Sequence, residues 1–150
     1  LTWVKEHPVT IHYYDIHYNK RNDTARSQGA GPEGKGDANM AEQGVKAELL
    51  ARAMVLKDLA AYQDHSVVSR EIVKKTTGTV TVFAFDKGEG LSEHTAPFDA
   101  LVHILEGRAE VSIEGIPHTL EEGEMIVMPA NKPHAIKALE RFKMLLVLVR

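Results

Sequence analysis

Two histidines in the last third of the chain, His94 and His134, have the setting of functional side chains. His94 lies in the segment EHTAPFD, and His134 directly follows the turn ANKP. Loops held by a rigid scaffold often carry binding and catalytic residues. An imidazole can bind a metal, exchange hydrogen bonds or transfer a proton near neutral pH. We therefore expect His94 and His134 to meet in one cavity.

Short β-strands are the elements that must position these histidines. After residue 66 the chain keeps returning to apolar, β-branched runs that end at Gly, Pro or Asn, a pattern typical of strands and turns. The runs cover residues 67–74, 79–85, 101–105, 109–113, 125–128, 134–138 and 142–149. No interval between them can hold a crossover helix, which predicts a sandwich or barrel rather than a βαβ sheet. The last run is apolar on both faces, so we expect it between two layers or at a subunit contact.

Two spaced motifs make the chain from about residue 58 to 150 resemble the small single-domain cupins, or RmlC-like proteins. The matched positions are Gly88 or Gly90, His94, Gly107, Gly123, Pro129, Asn131 and His134. The resemblance implies an all-β fold, a double-stranded β-helix of the jelly-roll type, over residues 66–150. It also implies a homodimer as the assembly.

The first motif departs from the pattern of metal-binding cupins. The resemblance implies four ligands, of which this chain has Ala96 and Ala100 at two positions. His94 and His134 alone make a weak site for Fe, Mn, Ni or Zn, unless Asp99 or Glu93 supplies a third ligand. Strand alternation predicts that Asp99 points away from the face of Ala100, which argues against that substitution.

Three functions from different classes are consistent with these residues. We rank first the binding of a small polar metabolite in the barrel cavity, with weak or absent metal. A metal-dependent enzyme of the oxygenase, isomerase or lyase class ranks second, and a structural cupin that acts through dimerisation ranks third. The residues expected to contact the ligand are His94, Thr95, Phe98, Asp99, Asn131 and His134.

The remaining histidines of the barrel have plainer expectations. His103 alternates with Ala100, Val102 and Ile104, so we expect it to face another layer or a partner subunit. His118 lies in a hairpin, where exposure is the ordinary outcome.

Composition excludes several classes of function. The chain has no cysteine, which excludes disulfides and thiolate metal sites. Its net charge is −3 with dispersed basic residues, which argues against nucleic acid as a partner. No apolar run is long enough to cross a membrane, and no secretory signal is seen, so we expect a cytoplasmic protein without a membrane partner.

Residues 1–39 do not share the design of the barrel. Residues 21–39 are rich in Gly, Asn, Asp and charge, a composition typical of disordered segments. Residues 35–40 read KGDANM, which can be back-translated into a purine-rich stretch before an ATG. We therefore expect residues 1–39 to be a disordered or non-native extension with Met40 as the native start. Residues 40–65 are expected to form a short helical segment beginning near Val45.

Overall fold

The computed structural model describes residues 44–150, so the extension expected at residues 1–39 lies outside the described residues. The described chain contains ten β-strands and two short 3₁₀ helices, at Ala47–Leu49 and Leu56–Leu59. The strands are β1 (Gly44–Val45), β2 (Val67–Lys75), β3 (Gly78–Phe85), β4 (Gly90–His94), β5 (Asp99–Glu106), β6 (Arg108–Ile113), β7 (Ile116–Glu121), β8 (Met125–Met128), β9 (His134–Ala138) and β10 (Phe142–Val149). No helix among residues 44–150 is long and apolar enough to span a membrane.

The strands form two sheets with antiparallel pairing throughout. One sheet has the order β1-β2-β3-β10-β5-β8, and the other has the order β4-β9-β6-β7. From β3 to β10 the chain passes repeatedly from one sheet to the other, which is the winding of a double-stranded β-helix. The predicted all-β jelly-roll fold is confirmed.

The interior between the sheets is apolar and contains stacked aromatic rings. Phe85 and Phe142 have ring centroids 4.5 Å apart with an angle of 8° between the rings. Both side chains are fully buried, as are Val102, Ile104 and Val111. Side chains on alternate positions of β5 are buried, which is how a strand with one face in the core should appear.

Strand β10 is apolar on both faces because it contacts two separate clusters. On one face Met144, Leu146 and Leu148 belong to the cluster between the sheets. On the other face Leu145 packs with Val82 against a second cluster, which lies under the N-terminal segment. The expectation that this strand lies between two layers is confirmed.

The segment before the barrel is not the α-helix that the sequence predicts from Val45. Among the described residues it consists of β1, which pairs with the edge of β2, and the two 3₁₀ helices. Ala51 has a φ of 54°, which is incompatible with a continuing helix. Packing of Leu56, Leu59 and Tyr62 on the outer face of the six-stranded sheet overrides the modest helix preference of Ala and Leu.

Polar contacts fix this segment on the barrel. Arg141 contacts two carboxylates, with Nε 2.6 Å from Asp86 Oδ1 and Nη2 2.6 Å from Asp64 Oδ1. The backbone N–H of His65 donates to Asp86 Oδ2 at 2.7 Å. The hydroxyl of Tyr62 donates to the carboxylate of Glu106 at 3.0 Å. Asp86, at the end of β3, therefore joins the N-terminal segment to the start of β10.

Replacing this carboxylate should destabilise the protein in a pH-dependent way. The His65 N–H and the Arg141 guanidinium lower the pKa of Asp86 from 3.8 to about 2. Asp86 therefore stabilises the folded protein above pH 3.8, and this contribution is lost as the pH falls through about 2. We expect Asp86→Asn to lower the free energy of urea unfolding at neutral pH, with a gap to wild type that closes on acidification.

The matched control for Asp86→Asn is Asp64→Asn, which removes the other carboxylate bound by Arg141. The side chain of Asp64 is 82% exposed, so its ion pair should contribute little to stability. An Asp86→Asn variant as stable as Asp64→Asn at neutral pH would show that Asp86 does not hold the segment in place.

Candidate functional site

An irregularity in the pairing of β4 with β9 brings the two histidines together. Leu91 is opposite Ile136 and His94 is opposite His134, so three steps along β4 match two steps along β9. Strict alternation would place Leu91 and His94 on opposite faces of the sheet. The shift in register instead places His94 beside His134, and a bulge commonly re-aims a side chain in this way. Leu91, Ile136 and the histidine pair thus lie at the same inner surface.

The imidazole rings of His94 and His134 are in edge-to-face contact. Their centroids are 4.5 Å apart, and the rings make an angle of 66°. Nδ1 of His94 lies 2.8 Å from the carbonyl oxygen of Ser92, and Nδ1 of His134 lies 2.8 Å from that of Lys132. A carbonyl oxygen can only accept, so each Nδ1 must carry the hydrogen. In the neutral form of each ring, Nε2 is therefore the acceptor nitrogen.

Burial makes His134 a poor base. Its exposed fraction is 3%. Desolvation lowers the pKa of His134, the bond to the Lys132 carbonyl opposes that change, and the neighbouring His94 lowers the pKa further. His134 is therefore neutral at neutral pH and presents its Nε2 lone pair.

Asp99 and Asn131, both predicted to contact the ligand, also shape the turn before His134. Oδ1 of Asp99 accepts the backbone N–H of Ala130 at 2.9 Å. Asn131 has a φ of 61°, in the left-handed region that asparagine tolerates, and its N–H donates to the carbonyl of Ala96 at 2.7 Å. Asp99 through its side chain, and Asn131 through its backbone, therefore fix the turn from which His134 emerges.

Thr95 and Phe98, the other residues predicted to contact the ligand, differ in how exposed their side chains are. Thr95 is exposed, whereas Phe98 is half-buried and packs on the interior cluster. Glu93 is exposed on β4. On β5, Asp99 is exposed and Ala100 is buried, so the predicted alternation of these two side chains is confirmed.

The donors at this site do not fit a resident metal ion. Ala96 and Ala100 are 6% and 1% exposed, so methyl groups occupy the two positions where the resemblance places ligands. Within residues 44–150 no group of three or more His, Asp or Glu side chains could hold a metal. Two imidazoles leave most of a coordination shell unfilled. Asp99 and Glu93 are both exposed, and neither joins the two histidines in such a group.

The register also places residues at this end of the barrel that the sequence reasoning missed. Thr79 pairs with Leu148, and Thr81 pairs with Leu146, so both threonines share the inner face of the six-stranded sheet. Ile113 pairs with His134 on the opposite sheet. The alternation of Thr79 and Thr81 with Val80 and Val82 was a usable signal for the threonines. The pairing of Ile113 depends on contacts distant in sequence and gave no local signal.

His103 and His118 lie apart from the pair, as predicted. His103 is half-buried on the outer face of β5, opposite Leu145 and Met125. His118 is exposed on β7.

The fold and the histidine pair define the chain as a member of the cupin family. Residues 81–149 match the family described as the cupin domain. A conserved protein of unknown function from Streptococcus pyogenes is 37% identical, with a TM-score of 0.68, over 72% of this chain and 95% of that chain. A cupin 2 conserved barrel domain protein from Leptotrichia buccalis is 43% identical, with a TM-score of 0.62, over 63% of this chain and 46% of that chain.

A curated relative, the protein SchB of Streptomyces halstedii, is 30% identical over 63 residues. The match covers 41% of this chain and 46% of SchB, so the chain spans less than half the length of that relative. These similarities establish the family and the barrel.

The titration of His134 tests the electrostatics of the pair. Because the pKa of His134 is lowered from 6.5 in the folded protein, the unfolded chain binds a proton more readily. Stability should therefore fall as the pH drops below 6.5 and level off below the folded pKa. We expect this slope to be smaller in His134→Gln, as measured by urea unfolding across the pH range. An NMR titration that gives His134 a pKa of 6.5 or above would contradict the assignment.

Proposed function

We propose that this cupin binds a small polar metabolite in the barrel beside the paired rings of His94 and His134, without a resident metal. The observation that carries the proposal is the contact of the two rings, with both Nδ1 atoms held by backbone carbonyls. This arrangement places two imidazole rings of fixed orientation at a largely apolar inner surface. Such a surface with a few convergent polar groups is the usual form of a small-molecule site.

Binding would rest on the acceptors being fixed before the ligand arrives. The Ser92 and Lys132 carbonyls hold the rings, and the Asp99 contact to Ala130 holds the turn next to His134. Little side-chain freedom would then be lost on binding. Phe98 would cover one side of the ligand, and Thr95 would lie at the entrance.

A metal-dependent reaction is the second candidate, and one observation favours it. Metal-binding histidines commonly donate their other ring N–H to a carbonyl, as both histidines do in this protein. The buried methyl groups of Ala96 and Ala100 argue against it, because they supply no ligand atom. We therefore derive no catalytic step through a metal.

The test of the proposed function is ligand binding in three single variants. A metabolite library screened by thermal shift should yield a ligand that raises the Tm of wild type. His94→Ala and His134→Ala should each weaken its binding by about tenfold, the loss expected for one buried hydrogen bond. His118→Ala is the control, since His118 is exposed on β7, and it should bind as wild type does.

Elemental analysis of the same protein separates the two candidates. About one equivalent of Fe, Mn, Ni or Zn in wild type, lost in His94→Ala, would replace the proposed function by the metal-dependent one. A ligand whose binding is unchanged in both histidine variants would also contradict the proposal.

We further propose that the partner of this chain is a second copy, bound through the outer face of the six-stranded sheet. Two rows of aligned side chains cross β3, β10, β5 and β8 on that face. The first row is Val80, Val147, Leu101 and Val127. The second row begins under the N-terminal segment with Val82 and Leu145 and ends in His103 and Met125. Met125 and Val127 are about half exposed, which leaves an apolar area at the sheet edge. The apolar part of this face can be complementary to itself across a two-fold axis.

A charged side chain in this face should break the dimer. We expect wild type to have the mass of a dimer by light scattering at micromolar concentration. Val127→Lys should raise the dissociation constant by more than about tenfold, because it would bury an unpaired charge. Ile116→Lys is the matched control, since Ile116 is exposed on the other sheet and should not affect assembly. Monomeric wild type would remove this proposal.

A further inference from the structure

We propose that the two copies of the dimer are related by a two-fold axis that crosses the strands of the six-stranded sheet, so that the N-terminal segment of each copy packs on the histidine end of the other. This inference rests on the proposed dimer and adds which parts of the two copies meet. It is carried by the positions of the exposed apolar side chains and by the place of the N-terminal segment on the outer face.

A continuous row of aliphatic side chains crosses all six strands of this sheet on its outer face. Aligned pairs join β1 to β2, β2 to β3, β3 to β10, β10 to β5 and β5 to β8. The row, which we call the open row, consists of Val45, Val73, Val80, Val147, Leu101 and Val127. Each of these side chains is half-buried or exposed, and within residues 44–150 none belongs to either apolar cluster. The described chain therefore leaves an apolar band partly exposed across the whole sheet.

Seven of the eight exposed large apolar side chains of the described residues lie on this face or in the N-terminal segment. They are Val45, Met125, Val127 and Val149 on the strands, and Leu50, Met54 and Val55 in the segment. The eighth, Ile116, lies on the other sheet. Exposed apolar residues that gather on one surface, rather than scatter singly, mark an interaction site.

The N-terminal segment covers the end of the outer face that is farther from the histidines. Leu56 and Leu59 pack with Leu145 in the second cluster. Earlier in the segment, the carboxylate of Glu48 accepts a hydrogen bond from Nη2 of Arg70 on β2 at 2.9 Å. These contacts hold residues 46–62 along one end of the face.

Val149 marks the opposite end of the same face, next to the histidines. It lies two residues beyond Val147, so strand alternation places both side chains on the outer face. It pairs with Asp99, whose carboxylate accepts the N–H of Ala130 in the turn before His134. The open row therefore lies between the N-terminal segment and the histidine end.

The open row is too small to hold a dimer by itself. Six strands about 4.8 Å apart span roughly 24 Å, and a strip about four residues long along the strands adds roughly 14 Å, which gives about 340 Å². A stable interface buries about 800 Å² on each partner. A dimer through this face therefore needs the exposed side chains of the N-terminal segment as well.

The position of the N-terminal segment decides how two such faces can meet. The segment projects from the face over the central strands β3, β10 and β5. A two-fold axis parallel to the strands would bring both segments to the same end of the dimer, where they would collide and hold the open rows apart. An axis that crosses the strands along the open row brings each segment to the opposite end of the other sheet. There Met54 and Val55 of one copy can pack on Val149 of the second copy, beside Asp99.

Disulfide trapping in the full chain tests this arrangement, because the chain has no cysteine and an introduced cysteine is its only thiol. Met54→Cys marks the N-terminal segment, Val149→Cys the histidine end and Val147→Cys the open row. Ile116→Cys is the matched control, since Ile116 is an exposed apolar residue on the other sheet. Each variant is oxidised alone. Isotope-labelled Met54→Cys is also oxidised after mixing with Val149→Cys, so that mass spectrometry separates mixed pairs from like pairs.

Light scattering under reducing conditions shows which variants remain dimers. Val55→Cys replaces Met54→Cys, and Leu101→Cys replaces Val147→Cys, where the first choice does not. A short bismaleimide reagent repeats the comparison for thiols that a disulfide cannot join, because a disulfide needs Cα atoms within about 7 Å.

The expected result is that the mixture forms mixed pairs faster than Met54→Cys or Val149→Cys forms like pairs. Val147→Cys should cross-link with itself, because the axis passes along the open row. Both reactions should be at least about tenfold faster than that of Ile116→Cys, because an interface holds two thiols at a millimolar effective concentration.

The opposing results separate this inference from the proposed dimer. Like pairs of Met54→Cys without mixed pairs would place the axis along the strands, so this inference would be wrong and the proposed dimer would stand. Dimers in which the mixture gives no mixed pairs with either reagent would also contradict the arrangement. Cross-linking confined to Ile116→Cys would move the contact to the other sheet and remove both. A monomeric wild type would also remove both, and the face would then be left to a contact within the chain or to a different partner.

Discussion

The packing of β10 on both of its faces is the constraint on which the structure depends. This strand pairs with β3 on one side and with β5 on the other, so it is central in the six-stranded sheet. Its inner side chains fill the barrel, and its outer side chains hold the N-terminal segment. A strand with two apolar faces cannot slip by one residue without exchanging the members of both clusters. That fixed register also sets which residues of β5 point toward the histidine end of the barrel.

The histidine pair depends on a second constraint, the close approach of β4 to β9. A Cβ at Gly90 would collide with the carbonyl of Ile136, so only glycine lets the two backbones pair at this point. The register then shifts between Leu91 and His94, which compensates for the odd spacing of the two residues. Gly90 therefore allows β4 and β9 to pair closely, and the irregular pairing directs the His94 ring toward His134.

The sequence predicted the strands that consist of apolar, β-branched runs and missed those that do not. The runs at 79–85 and 142–149 correspond closely to β3 and β10, where apolar residues dominate. The strands β4 and β7 were missed, and they are the two edges of the four-stranded sheet, with polar and largely exposed side chains. A similar limit applies to the site. The motifs identified the two histidines, but their contact depends on an irregular pairing that no local pattern encodes. The helix predicted from Val45 failed because docking onto the sheet outweighs local propensity.

Four contacts distinguish this barrel from a cupin that binds a metal. They are the methyl groups of Ala96 and Ala100 and the carbonyl contacts of the two histidines. Ala96 and Ala100 supply no ligand atom and no negative charge to hold a cation. The carbonyls of Ser92 and Lys132 nevertheless fix the rings of His94 and His134. Loss of hydration and the neighbouring His94 both lower the pKa of His134, so His134 is neutral at neutral pH. What remains is a pair of imidazole rings whose orientation is fixed by the backbone. Under the proposed function, this pair would bind a polar ligand through hydrogen bonds rather than through a metal ion.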